Sequence, residues 1–118
     1  MKYLCLIYET EAPPPDMAHY IQEHIDYDAQ LRARGQLVEA EALQPAETAT
    51  TVRMRRGRLS VTDGPFAETS EQLGGFYLVE AGSEEEALRI AAGIPSARNG
   101  SIELRPILSF GPGPEGPR

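Results

Sequence analysis

From Lys2 to Tyr8 apolar side chains occupy both alternating sets, Tyr3, Cys5 and Ile7 on one and Leu4, Leu6 and Tyr8 on the other. That pattern predicts a strand covered on both faces. Pro13-Pro14-Pro15 interrupts regular structure, and Asp16 is placed to N-cap a helix that runs to about Arg34 and stops at Gly35. A second strand follows from Gln36 to Leu43. Thr50 to Met54 and Leu59 to Thr62 set Val52 and Met54 against Leu59 and Val61 around Arg56-Gly57, which predicts a hairpin with one apolar face. Phe76 to Val79 is again apolar on both faces. Ser83 and Glu86 have the spacing of a capping box, opening a second helix with Ala87, Leu88, Ala91 and Ile94 inward and Gly93 and Pro95 at its end. In the last strand, Ile102 to Phe110, Pro106 calls for an edge position or a bulge.

The order is β-α-β, an inserted β-hairpin, then β-α-β, which predicts an α+β, ferredoxin-like domain: an antiparallel sheet with two helices on one face. Two helices cover one side only, yet the strands at Lys2 and Phe76 are apolar on both. The uncovered side is therefore expected to pack on a second copy, giving a homodimer with its sheets face to face. The chain of 118 residues suits one domain, assigned to residues 1–110. Residues 111–118, Gly-Pro-Gly-Pro-Glu-Gly-Pro-Arg, offer nothing apolar to bury and are expected to form a disordered tail.

A net charge of −7 argues against a nucleic-acid partner, because phosphate binding rests on clustered Lys and Arg. The basic group Arg53, Arg55, Arg56 and Arg58 straddles the hairpin turn and reads as a solvated edge that discourages strand aggregation. Cys5 is the lone cysteine, so no intrachain disulfide forms, and its apolar setting points to a buried thiol rather than a nucleophile. The apolar run ending at Tyr8 is too short for a signal peptide or a membrane span. A cytoplasmic protein with no membrane partner is the expectation.

The first helix carries a chemical anomaly. At 100° per residue Met17, Ile21, His24, Asp28 and Leu31 fall in a stripe under about 90° wide, flanked by Tyr20 and Ile25. His24 and Asp28 lie within it, one turn apart. Burying both is costly unless they are hydrogen-bonded. Either the pair is satisfied internally and fixes the helix on the sheet, or a pocket opens there and the carboxylate orients an imidazole acting as general acid or base.

The loop Asp63-Gly64-Pro65-Phe66 joins turn-forming residues to an apolar anchor, and Glu68 and Glu71 follow it. Phe66 and Glu68, with Tyr20 and Tyr8, are expected on the walls of a ligand pocket, and Asp63 is a further candidate acid. Gly74 and Gly75 permit close backbone approach, by a neighbouring strand above all. His19 and His24 point to different helix faces, so no metal pair is expected. No glycine-rich phosphate loop opens a helix, which removes nucleotide cofactors from the expectation, and Ser60 and Ser70 lack a nucleophile elbow.

Asp63-Gly64-Pro65-Phe66-Ala67-Glu68-Thr69 closely resembles the DGPF branch of the YCII-related proteins. The resemblance extends through Met1 to Leu4, Thr48 to Arg53, Glu71 to Tyr77, Ile94-Pro95 and Ile102 to Pro106, nearly all of residues 1–110. It implies a ferredoxin-like fold assembled as a dimeric α+β barrel, with a His of the first helix acting with an Asp. His24 matches that position; Asp28 or Asp63 is the matching acid. Ser70 departs from the Lys common at that place in the branch. Enzymes of the wider barrel group include muconolactone isomerase-like and dehalogenase-like proteins, and branch members occur beside extracytoplasmic-function sigma factors. The implied function is small-molecule binding with isomerase- or lyase-like acid–base chemistry at His24 on a small acidic or cyclic substrate. The alternative is a non-catalytic regulatory module working with a sigma factor.

Overall fold

Asp16 Oδ1 accepts the His19 amide at 3.1 Å and Ser83 Oγ accepts the Glu86 amide at 3.1 Å, so both helices begin at their encoded caps. The computed structural model describes residues 1–109. Within them lie β1 (Lys2–Glu9), α1 (Met17–Ala33), β2 (Leu37–Ala42), β3 (Thr50–Arg55), β4 (Arg58–Asp63), β5 (Gln72–Glu80), α2 (Glu84–Gly93) and β6 (Ser101–Pro106). Short 3-10 turns occupy Ala46–Thr48 and Pro95–Arg98. The expected tail, 111–118, and Phe110 of the expected last strand lie outside the described residues.

The main sheet has the order β2-β5-β1-β6, every neighbour antiparallel. Both βα units thus cross over to non-adjacent strands, consistent with a ferredoxin-like fold. β1 and β5 are central, as their two-sided apolar pattern requires, and β6 is an edge. It stops at Pro106, short of the expected Phe110, where proline has no N–H to extend a ladder. β5 starts earlier than expected, at Gln72, because β1 and β2 pair with it on both sides and outweigh the poor strand propensity of Gly74 and Gly75.

One face of this sheet carries the core. Tyr3, Cys5 and Ile7 of β1 and Tyr77 and Val79 of β5 pack with Leu31 of α1 and with Ala87, Ile90, Ala91 and Ile94. Leu88 corrects the expected core: it is 54% exposed, and Ile90 takes the inward position in an i, i+3, i+4, i+7 stripe. On the opposite face Leu4, Leu6, Phe76 and Leu78 are only half-buried, with no helix over them. The smallest extent of the molecule is 19 Å, the thickness of one helix layer on one sheet.

β3 and β4 form a separate two-stranded sheet. Arg56 and Gly57 at its turn both have positive φ, 52° and 75°, matching the right-handed twist of the strands. Val52 faces Val61 and Met54 faces Leu59, and all four side chains are more than half exposed. No helix among the described residues is long and apolar enough to cross a membrane.

Candidate functional site

α1 is pinned to the sheet toward its C-terminal end. Leu31 is fully buried there, and Tyr27 donates its hydroxyl to the Ile90 carbonyl at 2.7 Å. Farther toward the N-terminus the same stripe lifts away, and Met17, Ile21 and Ile25 stay about half-exposed. Beneath them the sheet offers Ala40, Ala42, Gly74 and Gly75, which have almost no side chain to fill the gap. A cavity of about 650 Å³ results. Its outer rim is the Pro13-Pro14-Pro15 segment, which delivers the chain from β1 to α1, together with Leu43, Gln44 and Pro45 beyond β2.

The two floor glycines have different neighbours. A Cβ on Gly75 would lie 2.7 Å from the Glu41 carbonyl oxygen, the close strand approach expected of it. Gly74 instead sits under the Glu9 side chain. It is also the extra residue of a bulge: Ile7 pairs with Gly75 and Tyr8 with Leu73. The bulge resets the alternation of β5, so that Gln72 comes to the same face as Glu9 and both line the cavity.

Three of the expected site residues, Tyr20, His24 and Asp28, line this cavity. His24 and Asp28 are neighbours on the helix but not partners. His24 Nδ1 lies 3.0 Å from the Tyr20 carbonyl oxygen and Nε2 lies 2.9 Å from Ser96 Oγ. A carbonyl oxygen only accepts, so Nδ1 carries a proton. Asp28 instead accepts a short hydrogen bond from the Tyr77 hydroxyl, out of the sheet. Burial, and then the bond to the Asp28 carboxylate, push the Tyr77 phenol well above its ordinary range.

Ser96 and Glu9 belong to the same cluster and were not expected in it. Tyr20 Oη is 2.7 Å from Ser96 Oγ and donates to Glu9 Oε2 at 2.8 Å. The Tyr20 and His24 rings meet edge to face, with centroids 4.6 Å apart. Burial raises the Tyr20 phenol most, the contact with Ser96 opposes that, and the Glu9 carboxylate adds to it. Ser96, 1% exposed, is held by the Pro95–Arg98 turn, in which its carbonyl accepts the Asn99 and Gly100 amides at 3.2 and 2.9 Å. No spacing rule links residues 72 and 76 positions apart. Pro95 starting a turn after a helix was the legible part of that signal.

The other expected residues lie outside this cavity of the single chain. Asp63 ends β4 on the hairpin, and Phe66 and Glu68 follow it in the exposed loop, with the Arg53 guanidinium 5.7 Å from the Phe66 ring centre. The hairpin leaves the body of the sheet before this loop begins, which carries the loop away from α1. Tyr8 falls on the opposite parity from Ile7 and Glu9 and lines a shallow hollow with Thr69, Ser70 and Glu71. Cys5 is fully buried in the core, and burial pushes its thiol up to about 11, so it is no nucleophile near neutral pH. His19 is on the outer helix face beside Glu23, which lies 3.7 Å away and is held below the usual carboxylate range chiefly by its hydrogen bonds to Arg98.

An uncharacterised protein of Rhizobium meliloti (strain 1021) is 37% identical to this chain over 120 aligned positions, covering 96% of the chain and 97% of the relative. The sequence profile of the YCII-related domain matches residues 1–111. With a match over almost its whole length, the chain belongs to the YCII-related domain family.

Proposed function

We propose that this protein binds a small, largely apolar molecule between α1 and the sheet and performs acid–base chemistry, of the isomerase or lyase kind, at the wall that holds His24. The observation that carries this reading is the cavity itself. About 650 Å³ falls within the usual range of ligand sites, and Met17, Ile21, Ile25 and a row of prolines supply an apolar lining beside convergent polar groups. A regulatory module needing only a docking surface has no use for such a gap, so the cavity favours a ligand over the sigma-factor alternative.

The lining also narrows the ligand. It contains Glu9, Glu11, Asp28 and Glu41 and neither Lys nor Arg. An acidic substrate would meet like charge with no counter-ion, so the substrate class becomes neutral or cationic. Cyclohexanone, cyclohexylamine and cyclohexanecarboxylate share a skeleton and differ in charge. Titrated into labelled protein, the ketone and the amine shift the His24 and Ile25 resonances, and the carboxylate does not. Bound ketone exchanges its α-hydrogens with D2O, and His24→Ala abolishes the exchange. Binding by the carboxylate alone, or exchange that survives in His24→Ala, contradicts this reading.

The assembly belongs to the same proposal: a homodimer through face-to-face sheets, forming a dimeric α+β barrel. Leu4, Leu6, Phe76 and Leu78 leave an apolar sheet face open, and the hairpin exposes four apolar side chains although a lone two-stranded sheet is marginal in water. In this arrangement the arm brings Asp63, Phe66 and Glu68 to the partner, whose Tyr8 face receives them, and any contact of these residues with ligand comes through that second copy. The wild type should sediment as a dimer at micromolar concentration and Leu6→Asp as a monomer; a monomeric wild type refutes the assembly.

A further inference from the structure

Three links connect His24 Nε2 to Glu9 Oε2: Nε2 to Ser96 Oγ at 2.9 Å, Ser96 Oγ to Tyr20 Oη at 2.7 Å, and Tyr20 Oη to Glu9 Oε2 at 2.8 Å. Each link needs one proton between its two heavy atoms. Ser96 brings one and Tyr20 brings one. The Nδ1 proton of His24 is already committed to the Tyr20 carbonyl. With a neutral imidazole and an ionised carboxylate, one of the three links is left with lone pairs facing each other beside the buried Ser96. Ser96 is 1% exposed, so an unmade hydrogen bond at its hydroxyl is costly.

We propose that the His24, Ser96, Tyr20 and Glu9 side chains form a relay holding one shared proton. In one form the proton is on His24: the imidazolium Nε2 donates to Ser96, Ser96 donates to Tyr20, and Tyr20 donates to an ionised Glu9. In the other it is on Glu9: the neutral carboxyl donates to Tyr20, Tyr20 to Ser96, and Ser96 to a bare Nε2. Passing from the first form to the second breaks the Nε2–H, Ser96 O–H and Tyr20 O–H bonds. It forms new O–H bonds at Ser96, Tyr20 and Glu9, so the cluster keeps its proton count and its net charge. All three links are made in both forms. Glu11, Asp28 and Glu41 line the same cavity, Tyr77 is bonded to Asp28, and the Glu23–Arg98 pair and His19 lie on the outer side of α1.

The relay assigns roles that the helix pattern alone does not. Both ring nitrogens of His24 are engaged, so neither faces a ligand without breaking a bond. Glu9 Oε2 is engaged by Tyr20, while Oε1 lies over Gly74 on the cavity floor, and the described residues give it no hydrogen bond. Glu9 is therefore the group that exchanges a proton with a bound molecule, and His24 is the store behind it. This last step rests on the ligand reading above; the shared proton does not.

The test uses the whole protein without ligand, near neutral pH, with ¹⁵N-labelled histidine and ¹³C-labelled glutamate. The ¹⁵N shifts report the protonation of Nε2, and the carboxyl carbon shift and C=O stretch of Glu9 report that of the acid. Fractional protonation of Nε2 plus that of Glu9 should sum to about one, from the three protons that the links require. Glu9→Gln presents a neutral donor to Tyr20 with almost no change of shape, so Nε2 should lose its proton there. A bare Nε2 with an ionised Glu9 in the wild type, or both groups protonated, overturns the relay. So does an Nε2 that still carries a proton in Glu9→Gln. Because no ligand is present, the proton count can fail while the cyclohexanone and cyclohexylamine titrations succeed, and the reverse.

Discussion

Leu31 and Ile21 fall on one stripe of α1, so sequence periodicity gives them the same role, and replacing each with Ala tests whether the cavity is open. Leu31 is fully enclosed, whereas Ile21 is 50% exposed. Each substitution removes three carbons, worth about 0.8 kcal/mol apiece when fully buried. Leu31→Ala therefore costs about 2.5 kcal/mol in transfer alone and up to about 5 kcal/mol with the void that the surrounding core fails to close. Ile21→Ala loses about half the transfer contribution, roughly 1 kcal/mol, and makes no void because its side chain already borders open space. The better helix propensity of Ala offsets several tenths of that. Urea unfolding followed by circular dichroism, with equal m-values for the two variants, should place their costs at least about twofold apart. Equal costs, or a larger one for Ile21→Ala, would mean that the N-terminal half of α1 is packed against the sheet, and the cavity would go with it.

Three further outcomes follow from the buried groups. Cys5 should resist alkylation in the folded protein at pH 8 and react at once in urea, and rapid native labelling would contradict its burial. Its folded pKa is raised, from 9.0 to about 11, so its contribution to stability is complete below pH 9 and is lost as the pH rises through 11. Tyr77→Phe removes the donor to Asp28 and should cost about 1.5 kcal/mol, the low end for bonds to charged groups, because Asp28 keeps access to the cavity. Unchanged urea stability in Tyr77→Phe would mean that this bond does not hold α1 to the sheet.

The topology was legible because each element carries its own local signal. Asp16 and Ser83 cap what they should cap, Arg56-Gly57 makes the hairpin turn, and the two strands with no polar face are the central ones. His24 was legible for the same reason, as a polar residue on an apolar stripe. Its partners were not. Ser96 lies on a turn 72 positions away, and Glu9, although it follows Tyr3, Cys5 and Ile7 on the inward parity of β1, meets Tyr20 only once α1 has packed over the sheet. The destination of the Asp63 to Phe66 loop was not legible for the opposite reason: its turn chemistry is strong and local, and says nothing about which surface the finished turn faces.

The cavity survives because polar groups brace its two sides. Half-exposed apolar side chains such as Met17, Ile21 and Ile25 should fall onto a floor of Ala and Gly, since burying them is favourable and nothing in the floor obstructs them. Two tyrosines oppose that collapse. Tyr20 reaches down from α1 to Glu9 on β1, and Tyr77 reaches up from β5 to Asp28 on α1, so helix and sheet exchange one tyrosine-to-carboxylate bond in each direction. Letting α1 settle would break both bonds and strand two carboxylates beside apolar surface. Each such loss is of the same order as the burial of one half-exposed isoleucine. The groups that hold the space open are thus groups that line it, and the proposed relay shares Tyr20 and Glu9 with the braces that keep room for a ligand.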